Sequence, residues 1–307
     1  MSVQNHAQAP GFQRFRIGDL IVTALYDGYV PIAAADLNGV PQRVIRECLA
    51  DAYLPEDGDA HTAVLAFLVE HGGERILVDT GSGTTLGPAT GGLPESLRAA
   101  DVSARSVDHV LVTHLHPDHA GGLVAPDGTA AFPRATVHVA APEVAYWLDD
   151  GIRAHAEGVQ AEIHRAAAAS LAPYLDRGRL DAFTGPAVLP GVRALQQHGH
   201  TAGHTGYLVG TEGAAVLFWG DIVHSYRVQL PLPHVSVAID NDPGRAVDAR
   251  AEVLNAVATN GWWVGGAHLP FPGIGHLRAV GEGYTWLPAH FVPVPVGHGL
   301  SDERRVG

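Results

Sequence analysis

The segment from Thr113 to Gly122 reads THLHPDHAGG and places three imidazoles and one carboxylate within six residues. Two histidines at a spacing of two in an extended segment project to the same side, so His114 and His116 can bind one ion. Asp118 and His119 follow a proline-containing turn and can reach a second ion nearby. Because two divalent cations that share a water molecule lower its pKa from about 15.7 toward 7, the cluster predicts hydrolysis by a metal-activated hydroxide.

Three later segments can complete a two-metal site. The candidate ligands there are His200 or His204 in HGHTAGHT, Asp221 in FWGD and His268 in GAH. A single His or Asp after a strand is more often a structural group, and the chain contains 19 histidines. The three segments together, in this order after the first cluster, indicate a dinuclear centre. Spacing alone does not choose between His200 and His204.

The elements around these residues are predicted from their apolar patterns. Val107–Thr113 is a short apolar run that ends at His114, so the first cluster lies where a buried strand enters a loop. Further strands are predicted over Ile17–Tyr26, Thr62–Glu70, Arg75–Asp79, Gly191–His198 and Tyr207–Trp219. Helices are predicted after Pro94 and over Pro142–Asp149, Val159–Leu175 and Pro243–Ala258, the last with Asp242 as N-cap. This loose alternation fits a layered α/β domain with helices outside mixed sheets.

The composition bounds the function. The 307 residues are 46% hydrophobic and show no linker, so we expect one domain over residues 1–307. The formal charge of −13 makes a nucleic-acid partner unfavourable. Cys48 is the single cysteine, so a metal site must use His and carboxylate ligands, and we expect Cys48 to pack as a small hydrophobe. Without a signal-like start or an apolar run of about 18 residues, we expect a cytoplasmic protein with no membrane partner.

The ordered motifs resemble those of the metallo-beta-lactamase superfamily: His-x-His-x-Asp-His, Gly-His-Thr-x-Gly-His, Gly-Asp and a late His, with LVDTG at residues 77–81 as that fold's opening motif. Within the superfamily the chain looks most like the methyl parathion hydrolase group, over about residues 11–295. The resemblance implies an αβ/βα four-layer sandwich, in which helices flank two mixed β-sheets. It also implies a homodimer.

The same resemblance assigns the ligands. The seven implied ligands are His114, His116 and His200 for the first ion, Asp118, His119 and His268 for the second, and Asp221 as a bridge. His204, Asp79 and His276 are then residues that orient ligands. Zinc is the favoured metal, and manganese, iron or cobalt are alternatives.

Alignment with the same group implies a substrate pocket that is mostly apolar and partly aromatic, formed by Leu86, Trp147, His224 and Ile239. For Trp147 and His224, packing is an equally good interpretation. Because His224 puts a polar ring near the metals, we predict an aryl-ester or lactone hydrolase with promiscuous phosphotriesterase activity. In this prediction Asp118 or Asp221 takes up or relays the proton.

Other interpretations of the same residues remain. An N-acyl-homoserine lactone lactonase or a thioester hydrolase would use the same metals, and iron would allow an oxidoreductase. A nuclease conflicts with the acidic charge and with the lack of a basic, aromatic-rich stretch. A relative that has lost its chemistry is disfavoured because all seven ligand positions are filled. The glycine-rich run GSGTTLG at residues 81–87 departs from the dinucleotide-binding spacing.

Overall fold

The computed structural model describes residues 11–56, 59–211, 213–292 and 294. Its strands are β1 (Phe12–Ile17), β2 (Leu20–Ala33), β3 (Leu37–Asn38), β4 (Asp59–His71), β5 (Glu74–Val78), β6 (His109–Leu111), β7 (Thr136–Ala140), β8 (Leu180–Phe183), β9 (Ala187–Leu189), β10 (Val192–Gln196), β11 (Thr205–Val209), β12 (Val216–Phe218), β13 (Ser236–Val237), β14 (Trp263–Gly265), β15 (Ile274–Val280) and β16 (Gly283–Pro288).

Its α-helices are α1 (Gln42–Ala50), α2 (Leu93–Ala99), α3 (Pro117–Ala120), α4 (Ala141–Trp147), α5 (Asp150–His155), α6 (Gly158–Leu175), α7 (Tyr226–Gln229) and α8 (Pro243–Asn260). Short 3-10 turns cover Ala34–Asp36, Ala104–Ser106 and Gly121–Leu123. None of these helices combines the length and the apolar character that crossing a membrane requires.

Most strands belong to two mixed sheets. The first has the order β1-β2-β4-β5-β6-β7-β8, and β5 to β8 run parallel. The second has the order β16-β15-β14-β12-β11-β10-β9, in which only the described pair β12 and β14 is parallel. A two-stranded ribbon joins β3 to β13. The predicted fold class, two mixed sheets flanked by helices, is confirmed.

Three apolar layers hold the sandwich together. The two sheets face each other across buried side chains that include Leu65 and Phe67 of the first sheet and Tyr207 and Phe218 of the second. Helices α2 and α6 cover the outer face of the first sheet, and α8 covers that of the second. Because each sheet is apolar on both faces, its strands read as continuous apolar runs rather than as alternating patterns.

Two segments that were each predicted as a single strand contain a turn between two antiparallel strands. The Ile17–Tyr26 prediction is wrong at its start because the chain turns at Gly18, whose φ is 57°, between β1 and β2. The Tyr207–Trp219 prediction is likewise divided into β11 and β12, which pair antiparallel. In both cases the two arms bury apolar side chains in the same layer, so the apolar pattern continues past the turn.

The helix predictions agree more closely. Helices α4 and α6 begin within one or two residues of the predicted starts. Asp242 caps α8, since its Oδ1 accepts a hydrogen bond from the Arg245 amide at 3.1 Å, and Pro243 occupies the first turn. Cys48 lies on α1 as a half-buried free thiol.

Candidate metal centre

The seven predicted ligands reach one rim of the sandwich from both sheets. In the first sheet, β5 and β6 run parallel, so the loops that follow them start at the same edge. His114 and His116 lie in the loop after β6, and α3 carries Asp118 and His119. The second sheet provides the other three: His200 between β10 and β11, Asp221 after β12 and His268 after β14.

The ligand atoms form two groups. In the first group one atom each from His114, His116, His200 and Asp221 lies within 4.8 Å of the others. In the second group the same holds for Asp118, His119 and His268. The structure therefore brings all seven candidates together, in the two groups that the family resemblance implied.

The Asp221 carboxylate lies between the two groups. Its Oδ2 is 3.2 Å from His200 Nε2 and 3.6 Å from His114 Nε2. Its Oδ1 is 3.0 Å from His119 Nε2 and 3.2 Å from His268 Nε2. One oxygen therefore faces each group, which is the arrangement that a bridging carboxylate requires.

Several of these atoms are buried without a hydrogen-bond partner. They include His114 Nε2, His119 Nε2 and Asp221 Oδ1. A buried polar atom left without a partner costs about 1–3 kcal/mol, whereas coordination of a cation would use its lone pair. The donors are all nitrogen and oxygen, a set that suits zinc, iron, cobalt and manganese. The residues thus fit a pair of divalent ions.

The electrostatic environment also favours cations. Burial, reinforced by the neighbouring His119, lowers the pKa of His114 well below its ordinary value, and burial does the same to His116. Their ring nitrogens are therefore free of extra protons at neutral pH. Burial opposes ionisation of Asp221, but the surrounding imidazoles, His119 first, hold its pKa well below the usual range. The site thus presents an anionic carboxylate, with neutral nitrogen donors at His114 and His116.

Two of the predicted orienting residues contact ligands directly. Asp79 Oδ2 is 2.9 Å from His119 Nδ1, and its two oxygens also accept hydrogen bonds from the Thr113 amide and hydroxyl. His204 Nε2 accepts a hydrogen bond from the Asp221 amide at 3.0 Å, while its Nδ1 lies 3.1 Å from the Gln197 carbonyl. Both ring nitrogens of His204 are thereby occupied, which leaves His200 as the ligand.

Comparison with known proteins identifies a family whose model spans all seven candidate ligands. Residues 61–273 match the family model of the metallo-beta-lactamase superfamily. The chain belongs to this superfamily. The family match and the seven-residue centre place the chain among the metal-dependent hydrolases of that superfamily.

Two solved structures are similar to this chain over nearly its whole length. The hydrolase AbOPH is 34% identical, with a TM-score of 0.90, and the match covers 94% of this chain and 100% of that one. AidC, a dizinc quorum-quenching lactonase solved with the product N-hexanoyl-L-homoserine, is 25% identical, with a TM-score of 0.82 and coverage of 92% and 99%. Thioesterase pkgB from Emericella nidulans is 32% identical over 164 residues, which are 53% of this chain but only 37% of that protein.

The four pocket residues that the resemblance implied for this chain lie in different environments. Trp147 is fully buried, donates to Glu143 Oε1 and packs edge-on against His116, so it supports the centre rather than lining an open pocket. Leu86 and Ile239 are 43% and 41% exposed, and Ile239 borders an open cleft of about 870 Å³ that also reaches Asp240.

His224 lies inside the centre. Its Nε2 is 3.0 Å from Asp221 Oδ2, and neither of its ring nitrogens makes a hydrogen bond of good geometry. Burial lowers the pKa of His224, so the ring is neutral at neutral pH. With Asp221 and His268, His224 also forms a third set of atoms close enough to hold an ion. Sequence reasoning placed the polar His224 ring near the metals as a pocket residue, but it did not anticipate a position among the candidate ligands.

The prediction for His276 is not supported. Its Nδ1 lies 3.2 Å from the Trp262 carbonyl, and its ring packs against Trp263 at 4.0 Å. Within the described part of the chain it contacts no candidate ligand. The reason is its place on β15, where the side chain meets the end of β14 rather than the metal rim.

Sequence reasoning missed three groups that hold the ligands. Asp240 Oδ1 is 2.9 Å from His200 Nδ1, and the Ala63 carbonyl is 2.7 Å from His268 Nδ1. Glu143 is a buried carboxylate that contacts both loops of the first ligand group. None belongs to a motif, because each is brought to its partner only by the packing of distant loops. Asp240, for example, follows the apolar segment VSVAI, and its distance along the sequence from His200 gives no sign that the two side chains are in contact.

Proposed function

We propose that this protein is a dinuclear, zinc-dependent hydrolase of lactones and aryl esters. The observation that carries the proposal is the shared Asp221 carboxylate, which faces two groups of buried nitrogen and oxygen donors at one rim. Two bound divalent ions would lower the pKa of water toward 7 and polarise the oxygen of a carbonyl group.

The chain's own residues define what the substrate meets. The side chain of Asp118 is 15% exposed, whereas those of His114, His119, His200, His268 and Asp221 are exposed by 2% or less. Asp118 is therefore the most exposed of these ligands, and it is placed to accept a proton and pass it on. His224 supplies a neutral imidazole that can donate one hydrogen bond to a carbonyl or leaving oxygen.

The polar His224 ring supports carboxylic substrates over phosphotriesters. The likeness to AidC supports a lactone, and we keep phosphotriester hydrolysis as a slower side activity. The test is a panel of dihydrocoumarin, phenyl acetate and paraoxon on the zinc-loaded protein. We expect the lactone and the aryl ester to be hydrolysed faster. Much faster turnover of paraoxon would overturn this ranking.

A second candidate is hydrolysis of N-acyl-homoserine lactones or of thioesters at the same site. AidC is a lactonase of the first kind, and the pkgB relative is a thioesterase. Adding N-hexanoyl-L-homoserine lactone and an aryl thioester to the panel decides between the candidates by kcat/KM. Loss of all activity on chelation, with recovery on adding zinc, ties each result to the metals.

Zinc and a homodimer are parts of this proposal that need separate measurements. Elemental analysis of protein produced with zinc, manganese, iron and cobalt available tests the metal. Two ions of zinc per chain are expected. Light scattering coupled to size exclusion tests the homodimer, for which a mass of about twice 32.2 kDa is expected.

A further inference from the structure

Glu143 is a fully buried carboxylate in the first turn of α4 that accepts four hydrogen bonds. Its Oε1 accepts from the Leu115 amide at 2.9 Å and from Trp147 Nε1 at 2.6 Å. Its Oε2 accepts from Thr201 Oγ1 at 2.7 Å and from the Gly203 amide at 2.7 Å. All four partners are donors, so every bond uses a lone pair of the carboxylate and none uses a proton on it.

The four donors lie beside ligands of the first group. Leu115 stands between His114 and His116, and Thr201 follows His200 directly. Trp147 packs edge-on against His116, with ring centroids 5.6 Å apart. The two loops come from opposite sheets, the first after β6 and the second before β11. One carboxylate therefore fixes the separation between loops that must present three imidazoles to the same ion.

The second loop approaches Glu143 closely. A Cβ on Gly203 would lie 2.3 Å from the Glu143 amide nitrogen, so only glycine allows this contact. By contrast, no hydrogen bond of Glu143 within the described residues reaches Asp118, His119 or His268. The contacts are specific to one half of the centre.

We propose that Glu143 is a positioning residue for the first ligand group, and that it sets the affinity of His114, His116 and His200 for their ion without touching it. This inference rests on the proposed dinuclear centre. Burial raises the pKa of Glu143, and the four donors oppose that rise. Residues that hold metal ligands in place typically change metal affinity about 10–100-fold when replaced.

The test uses Glu143→Gln, which keeps the shape but puts an amide NH₂ group against donors. The substitution is made in two variants that each lack one ligand. His268→Ala weakens the second ligand group, so binding reports on the first, and His114→Ala weakens the first group, so binding reports on the second. Co²⁺ affinity is measured against a competing chelator, together with the visible absorption of bound Co²⁺. In the His268→Ala background we expect Glu143→Gln to weaken binding about 10–100-fold and to change the spectrum. In the His114→Ala background we expect less than about a threefold change.

Two further variants complete the design. Glu143→Asp keeps the acceptors on a shorter side chain, so partial recovery of affinity is expected. Glu162→Gln, on the exposed face of α6, is the matched control and should leave both affinities unchanged. If Glu143→Gln does not fold, Thr201→Val removes one of the four donors at constant shape. It should weaken Co²⁺ binding in the His268→Ala background alone.

Equal weakening in both backgrounds, or unchanged Co²⁺ affinity with a lower urea midpoint, would show that Glu143 is merely structural and would overturn the inference. Failure of the proposed function gives a different pattern. Wild-type protein would then bind two Co²⁺ ions in a Glu143-dependent way but hydrolyse no lactone, ester or thioester.

Discussion

The backbone at Gly220 and Asp221 orients the Asp221 carboxylate. His204 accepts a hydrogen bond from the Asp221 amide, and the preceding Gly220 adopts a left-handed φ of 55°. The carboxylate is thereby aimed between the two ligand groups, where its oxygens meet different sets of imidazoles. His204 remains neutral in this arrangement because burial lowers its pKa to about 3.

At the same scale, His224→Leu tests the proposed role of the buried imidazole. We expect kcat for lactone or aryl-ester hydrolysis to fall about 100-fold, the low end of what the loss of one hydrogen-bond donor to a developing negative charge costs. Bound metal should stay at two ions per chain. His276→Leu is the matched control, since His276 packs against Trp263 away from the centre, and it should leave kcat unchanged. Loss of an ion in His224→Leu would instead identify His224 as a ligand.

The protonation of His200 predicts how metal affinity depends on pH. Burial opposes protonation, but hydrogen bonds to Asp221 and Asp240 raise the pKa of His200 to about 9 in the metal-free protein. His200 therefore carries a proton at pH 7, and this proton must leave when Nε2 binds an ion. Affinity should rise from pH 7 through about pH 9, because the protonated fraction of His200 falls over this range. Calorimetry in buffers of different ionisation enthalpy should detect proton release at pH 7, and its absence there would contradict the prediction.

At the scale of elements, the loops between strands set the site, and Gly220 gives the sharpest test. A Cβ at Gly220 would lie 2.5 Å from His204 Nε2 and 2.9 Å from the Thr113 side chain. We expect Gly220→Ala to displace Asp221 and to lower both metal content and kcat at least about tenfold, as the loss of a ligand-orienting contact does.

Gly261→Ala is the control for this variant. Gly261 has a similar φ of 63° after α8, but a Cβ there meets nothing within 4 Å. It should cost only about 1 kcal/mol of unfolding free energy from backbone strain and leave metal content unchanged. Urea denaturation and elemental analysis measure the two effects. Equal metal loss in both variants would show that strain, not displacement of Asp221, is responsible.

The elements also show what the sequence could predict. The cluster of His114, His116, Asp118 and His119 was predictable because all four side chains lie within one loop and one helical turn. Asp242 at the start of α8 was predictable because a cap acts over three residues. Asp240 and Glu143 were not predictable. Asp240 lies 40 residues from His200 and Glu143 lies 58 residues from Thr201 in the sequence, so each pair meets only after the sheets pack.

At the scale of the whole molecule, the two ions would join the two sheets, because each ligand group combines residues from both. Ions that bind only the folded state add about 2.7 kcal/mol at a hundred times the dissociation constant. We therefore expect chelation to lower Tm by several degrees and zinc to restore it. Scanning calorimetry measures this, and the His114→Ala variant should show a smaller shift. An unchanged Tm on chelation would argue against metals that bridge the sheets.

The division of ligands between the sheets has a consequence for biosynthesis. A chain synthesised only as far as β8 contains His114, His116, Asp118 and His119 but lacks the bridging carboxylate and both remaining imidazoles. On the ribosome, the emerging polypeptide therefore cannot assemble either ligand group of the candidate centre until the strands of the second sheet have been made and have docked.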